Sequence, residues 1–249
     1  MKPRISLLLL VALSLFLGAC RADDNSPAAE PALEIITLQT VPSLAHWLPE
    51  VAACANALSG VGVYTSVLPI GDIDPTAADL TVRLGNPLDT DPFVTVLGTE
   101  NLVIITGPET PVTSMSLESL QAISAGEITD WRDVPEAGGA GLTDNAPITL
   151  LSFPQGNDLR SHFTDIYLES GRLTDNVKTF STVNSLTTLL EENPTAISYA
   201  LSSQVPSMAQ VLPITGREGS ASKIYVIAVT QNEPQGAIRS LLLCLQDAP

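Results

Sequence analysis

Residues 33–70 read LEIITLQTVPSLAHWLPEVAACANALSGVGVYTSVLPI. The two ends, Leu33–Gln39 and Val61–Ile70, are short β-branched runs of the kind that form strands. Between them Leu44, Trp47, Leu48, Val51, Ala55 and Leu58 recur at helical spacing. Pro49 lies inside that pattern and lacks a backbone donor, so the helix kinks there or starts later than Ser43. Strand, helix and strand joined by a crossover of about 20 residues make a βαβ unit, which implies a parallel pair and an α/β fold.

Working outward, Asp79–Leu84, Phe93–Val96 and Leu102–Thr106 continue the strand series. The texture changes after Gly107-Pro108. Leu117–Ser124 is a short helix with Ser116 as its N-cap, and Gly126 follows where a left-handed turn is needed. Pro135–Asn145 is Gly-rich and reads as a surface loop. Ile148–Phe153 and Ala196–Leu201 are further strands, with helices at Asp158–Glu169 and Ser185–Glu192. Lys223–Thr230 is a buried strand, and Pro234 opens a last helix whose Ile238, Leu241, Leu242 and Leu245 share one face.

The chain has 249 residues, 45% of them hydrophobic and 15% charged, enough apolar material for a core rather than a disordered acidic tail. A net charge of −16 argues against nucleic acid, whose phosphates need a basic face, and against electrostatic attachment to anionic lipid. Lys2 and Arg4, the apolar run Ile5–Leu17 and the small residues Gly18 and Ala19 describe a secretory signal over residues 1–19. Leu17-Gly18-Ala19-Cys20 resembles the lipobox of bacterial lipoproteins, which implies that Cys20 becomes the lipidated first residue. Residues 20–32, polar and rich in Pro and Ala, read as a flexible tether. Cys54 and Cys244 then remain as an even pair in an exported chain. They are either bridged, closing a loop of about 190 residues and joining the first helix to the last, or two buried thiols; the bridge is the preferred expectation.

No metalloprotease, nucleophile-elbow, phosphate-loop, dinucleotide or Cys-x-x-Cys pattern occurs, and neither His46 nor His162 can be given an orienting carboxylate from sequence. Both histidines read as helix-start or helix-surface residues. Asp72, Asp74 and Asp79 lack the turn Gly and closing Glu of a calcium loop. The expectation is therefore a non-enzyme without cofactor or metal. The segments ahead of two helices, Thr40–Ser43 and Gln155–Asp158, offer hydroxyl, amide and N–H groups of the kind that hold anions, with Arg160 as a clamp. Ser43 and Asn157 or Asp158 also read as plain N-caps.

The stretch Leu117–Val134, LESLQAISAGEITDWRDV, resembles the L-x-x-L-x-x-I-F-x-G-x-I-T-N-W-x-D-V block of PstS-like periplasmic phosphate-binding proteins. Pro147–Thr149, Gly156–Arg160 with Phe163, and Asn193–Tyr199 (NPTAISY) fall where that family has its Pro-Ile, Gly-Ser-Gly-Thr-Arg and N-P-G-A-I-G-Y segments. The resemblance covers residues 33–249. It implies a two-lobed type 2 periplasmic-binding-protein fold with a hinged cleft, lobe one being 33–107 plus 213–249 and lobe two 108–212. It further implies a monomeric, lipid-anchored extracytoplasmic protein that captures phosphate or another small anionic or polar solute for an ABC transporter permease. The ligand set it implies is Thr40, Ser43, Asn157, Asp158 and Arg160, with Gly85 and Ser181 as further members. The family's Gly-Ser-Gly-Thr-Arg is here Gly156-Asn157-Asp158-Leu159-Arg160, and an ionised Asp158 repels a dianion unless the ligand brings it a proton. The same departure suits an alternative role as a sensor or partner-binding lipoprotein.

Overall fold

The computed structural model describes residues 33–138, 145–169, 171–216 and 222–247. The signal segment, Cys20 and the tether lie outside these residues, as does most of the glycine-rich loop expected over Pro135–Asn145.

The βαβ unit takes the form its sequence predicts. Strand β1 (Glu34–Thr40) pairs in parallel with β2 (Val61–Val67). Between them Pro42–Trp47 forms a 3-10 turn, and helix α1 (Leu48–Ala57) begins only after it, with Pro49 in its first turn where a missing N–H costs nothing. Strand β3 (Leu80–Leu84) lies parallel to β1 on its other side.

One expectation is corrected next. Phe93–Val96 and Leu102–Thr106 are not two strands but one, β4 (Phe93–Thr106), because a register shift opposite Val226/Ile227 absorbs Leu97 as a bulge. Later come β5 (Met115–Ser116), helix α2 (Leu117–Ala125), β6 (Leu151–Ser152), helix α3 (Asp158–Phe163), β7 (Lys178–Thr179) and helix α4 (Val183–Glu192). Strands β8 (Ile197–Leu201), β9 (Gln210–Val211), β10 (Ile214–Thr215) and β11 (Lys223–Thr230) precede the last helix, α5 (Gly236–Asp247). The expected strand Ile148–Phe153 contracts to β6, and the expected helix Asp158–Glu169 splits into α3 and a wider π-type turn, Thr164–Leu168.

The main sheet runs β2-β1-β3-β11-β4-β8, with β9 also on β4. Strand β11 enters antiparallel between β3 and β4, and β8 and β9 attach to the C-terminal half of β4. One continuous core runs from Ile36 and Leu38 on β1 through Ile104 and Ile105 on β4 to Phe163, Leu186 and Tyr199. Helices α1 and α5 pack on each other, and a disulfide joins Cys54 to Cys244 across them, with Cα atoms 5.8 Å apart.

The Gly126–Trp131 block is structural. Ser116 caps α2 by accepting from the Ser119 N–H, and Gly126 ends it at φ +80°, a left-handed geometry that favours glycine. Asp130 caps the following 3-10 turn by accepting from the Arg132 N–H, and its carboxylate also pairs with the Arg132 guanidinium at 2.8 Å. Trp131 is fully buried, and its indole N–H donates to the Thr195 carbonyl at 2.9 Å. The two segments that carry the sequence resemblance thus hold each other.

Candidate functional site

Three loops converge beyond the ends of β1, β3 and β6. The 3-10 turn after β1 places Ser43, the β3–β4 connection places Gly85 to Asp91, and the turn after β6 leads into α3. Ser43 and Asp158 stand 115 residues apart in sequence, yet the Ser43 hydroxyl donates to Oδ2 of the Asp158 carboxylate. Both side chains are buried, each 4% exposed. Among the described residues the other Asp158 oxygen, Oδ1, has no hydrogen-bond partner. A buried polar atom left in that state normally costs free energy, so it calls for a partner or a role.

The neighbours of Asp158 are also fixed. Asn157 is the N-cap of α3, and its Oδ1 accepts from the N–H groups of Leu159 (2.9 Å) and Arg160 (3.4 Å). Arg160 turns its guanidinium back to the Phe153 carbonyl at 3.1 Å. Behind α3, Phe163 stacks on Tyr199 with ring centroids 4.2 Å apart, and the Tyr199 hydroxyl meets Ser152 at 2.8 Å. Burial pushes the Tyr199 phenol up to about 12, so it stays protonated as a structural hydrogen-bonding group.

The two members of the Ser43–Asp158 bond line different cavities. The larger, about 700 Å³, is lined by Arg83, Gly85, Asp91, Asp158 and His162, with Ile70, Ile73, Leu84 and Leu88 among its apolar walls. The smaller, about 250 Å³, is lined by Ser43, His46, Phe153, Ser181 and Gln204. Of the residues expected at the site, Gly85 and Asp158 therefore face one cavity and Ser43 and Ser181 the other. Thr40 lines neither; it is buried at the end of β1. Asn157 caps, and Arg160 ties down the preceding loop. Gly85 has φ +113°, and a Cβ there would stand 3.3 Å from His162 Cε1, so glycine permits the close approach of the β3–β4 connection to α3.

Two groups in the larger cavity were not legible as site residues. Arg83 is 7% exposed, and its guanidinium donates to Asp91 Oδ2 at 2.5 Å and to the carbonyls of Asn86 (3.2 Å) and Leu84 (3.4 Å). His162, expected on the helix surface, is instead half-buried against Gly85, because α3 packs that face onto the β3–β4 connection. His46 is likewise enclosed. Its Nδ1 lies 3.1 Å from the Ser43 carbonyl and its Nε2 lies 3.4 Å from Glu100, which also accepts from the Ser203 hydroxyl at 2.9 Å. No local pattern marks any of these residues; each is defined by chain segments distant in sequence.

Burial pushes the Asp158 carboxyl above its ordinary value of 3.8, opposed by the Ser43 hydroxyl and by His162. Burial pulls the His162 imidazole below 6.5, opposed by Asp158 and Asp165. For Asp158 the unfolded chain releases its proton first as pH rises. Its stabilising contribution is therefore complete below 3.8 and declines as pH climbs through the raised folded value. Asp158→Asn should remove that decline. Urea unfolding of both proteins from about pH 4 to about pH 6 should show the variant gaining stability relative to the natural chain as pH rises, the His162 contribution being present in both. A constant difference across that window would contradict the assignment.

Among the described residues no group of three or more His, Cys, Asp or Glu side chains is arranged to hold a metal, and no helix is long and apolar enough to cross a membrane. No protein-family model matches the chain. Its fold is similar to that of a protein assigned as a phosphate ABC transporter substrate-binding protein from Clostridium perfringens, solved with bound phosphate. That match has a TM-score of 0.68 at 19% identity over 85% of this chain and 92% of the other. An ABC-type phosphate transport receptor from Vibrio cholerae gives 0.66 at 15% identity, over 86% and 93% of the two chains. The reduced OxyR regulatory domain from Pseudomonas aeruginosa gives 0.57 at 12% identity, over 87% and 99%. These likenesses, together with the sheet order and the converging loops, establish that the chain has the mixed α/β fold of type 2 periplasmic binding proteins.

Proposed function

We propose that this protein is an extracytoplasmic solute-binding protein, anchored through lipid on Cys20, that captures a small polar solute and delivers it to an ABC importer. The observation that carries this reading is the buried contact between Ser43 and Asp158. Two segments 115 residues apart close on each other through polar groups, with cavities on both sides of the contact. A ligand that takes over the Ser43 hydroxyl and the Asp158 carboxylate joins the two cavities and bridges residues 33–107 and 213–249 to residues 108–212. Those two parts then act as hinged lobes, and closure around the ligand is what a membrane transporter reads.

Phosphate and other small oxyanions are the ligands implied by the sequence resemblance. In this cleft such an ion must bring a hydrogen for Asp158, which separates hydrogen phosphate from sulfate. The test is thermal unfolding of the purified full chain with phosphate, sulfate and a panel of small polar solutes. A folded-state ligand raises the melting temperature by an amount that grows with its concentration. A saturable rise with at least one solute is expected. No rise with any, from protein that unfolds in one sharp transition, overturns solute capture. That outcome favours the second reading, a sensor or partner-binding lipoprotein, which is supported by the way the Ser43 hydroxyl already engages one oxygen of Asp158 across the cleft.

A further inference from the structure

We propose that the larger cavity takes a small organic ammonium compound, an apolar body ending in a protonated amine, with the amine on Asp158. This inference rests on the solute-capture reading and narrows its ligand. Three observations carry it.

The first is size. The cavity holds about 700 Å³, within the roughly 300–1,000 Å³ typical of organic-ligand sites. A tetrahedral anion of five heavy atoms leaves most of that space unfilled. The second is the wall. Ile70, Ile73, Pro75, Leu84, Leu88 and Pro92 surround the space, and Leu88 is left 58% exposed at its edge. An apolar ligand body covers surface that otherwise contacts water, which is favourable at about 25 cal/mol per Å².

The third is charge. The charged and titratable groups lining the cavity are Arg83, Asp91, Asp158 and His162. Arg83 and Asp91 neutralise each other, and the Arg83 guanidinium is further engaged by two carbonyls. At the start of α3, Asn157 occupies the Leu159 and Arg160 N–H groups, and Arg160 itself points to Phe153. An anion entering here meets no uncommitted cation among these groups. Asp158 offers the opposite: a carboxylate whose Oδ1 lacks a donor among the described residues. An ammonium supplies three donors and a positive charge, and a chain of net charge −16 concentrates cations around itself.

The experiment is isothermal titration and thermal unfolding of the full chain at neutral pH with n-butylamine, n-butanol, butyrate and inorganic phosphate, each as a separate probe. The amine should bind saturably and raise the melting temperature, and n-hexylamine should bind more tightly than n-butylamine. Butyrate and phosphate should give no saturable effect. Asp158→Asn keeps the side-chain shape and an acceptor for Ser43, and should weaken n-butylamine at least tenfold. Leu88→Ser, on an exposed side chain, should reduce the advantage of hexylamine over butylamine. Saturable binding of phosphate, butyrate or butanol without the amine overturns this inference and leaves solute capture standing. Amine binding unchanged in Asp158→Asn overturns it as well. Silence from every probe here and from the polar-solute panel overturns both.

Discussion

Replacing Cys54 and Cys244 together by serine should lower the unfolding free energy by about 3–5 kcal/mol, read from urea unfolding with a steeper slope because the unbridged unfolded chain exposes more surface. The bond closes a loop of 190 residues, so breaking it frees nearly the whole domain in the unfolded state. The chain-entropy account gives about 5 kcal/mol for such a loop, and native bridges in exported domains cost about 2–5 kcal/mol when removed. Serine at Cys54, which is 4% exposed between α1 and α5, adds a polar group to an apolar contact. A strong reductant applied to the natural chain should reproduce most of the loss. A change below about 1 kcal/mol would mean that the unfolded chain keeps α1 and α5 together without the bond.

Trp131→Ala should be comparably severe, at about 4 kcal/mol or more. Removing a fully buried aromatic side chain costs about 3–5 kcal/mol through lost transfer energy and the cavity left behind. The same change strips the Thr195 carbonyl of its indole donor, an unsatisfied acceptor worth about 1–3 kcal/mol when water cannot reach it. Trp131→Phe helps to separate the two contributions, since it keeps most of the aromatic volume while losing the hydrogen bond. Urea unfolding of the two variants should place phenylalanine well above alanine. Because Trp131 joins the Gly126–Trp131 block to the Asn193–Tyr199 segment, the alanine variant should also expose backbone amides of Ile197–Leu201 to hydrogen exchange.

Elements whose residues interact locally were readable from sequence. Ser116 as cap and Gly126 as left-handed terminator of α2 follow from two residue types and their spacing, and the delayed start of α1 follows from Pro49. The parallel pairing of β1 with β2 follows from the length of the crossover. What sequence concealed was set by partners far along the chain. The continuity of β4 depends on β11 tolerating a bulge at Leu97, more than 120 residues away. His162 looks like a surface residue until the β3–β4 connection arrives over it. Asp158 reads as a misplaced charge in an oxyanion motif, and its buried partner becomes visible only once the fold brings Ser43 to it. The engagement of Arg83 with Asp91 is equally silent, since nothing in TVRLGNPLDTD states which charge the guanidinium will face.

The position of β11 governs the order in which this molecule can be completed. Its eight residues begin at Lys223, yet they fill the slot between β3 and β4 at the middle of the main sheet. A nascent chain therefore carries two facing open edges, with β-branched side chains on both, until β11 has been made. Pairings of such long sequence separation are slow to form, and edges left open are where other chains add. The closing strand, the helix that follows it and Cys244 arrive together, and the sheet, the helix pair and the covalent link are all finished in one event.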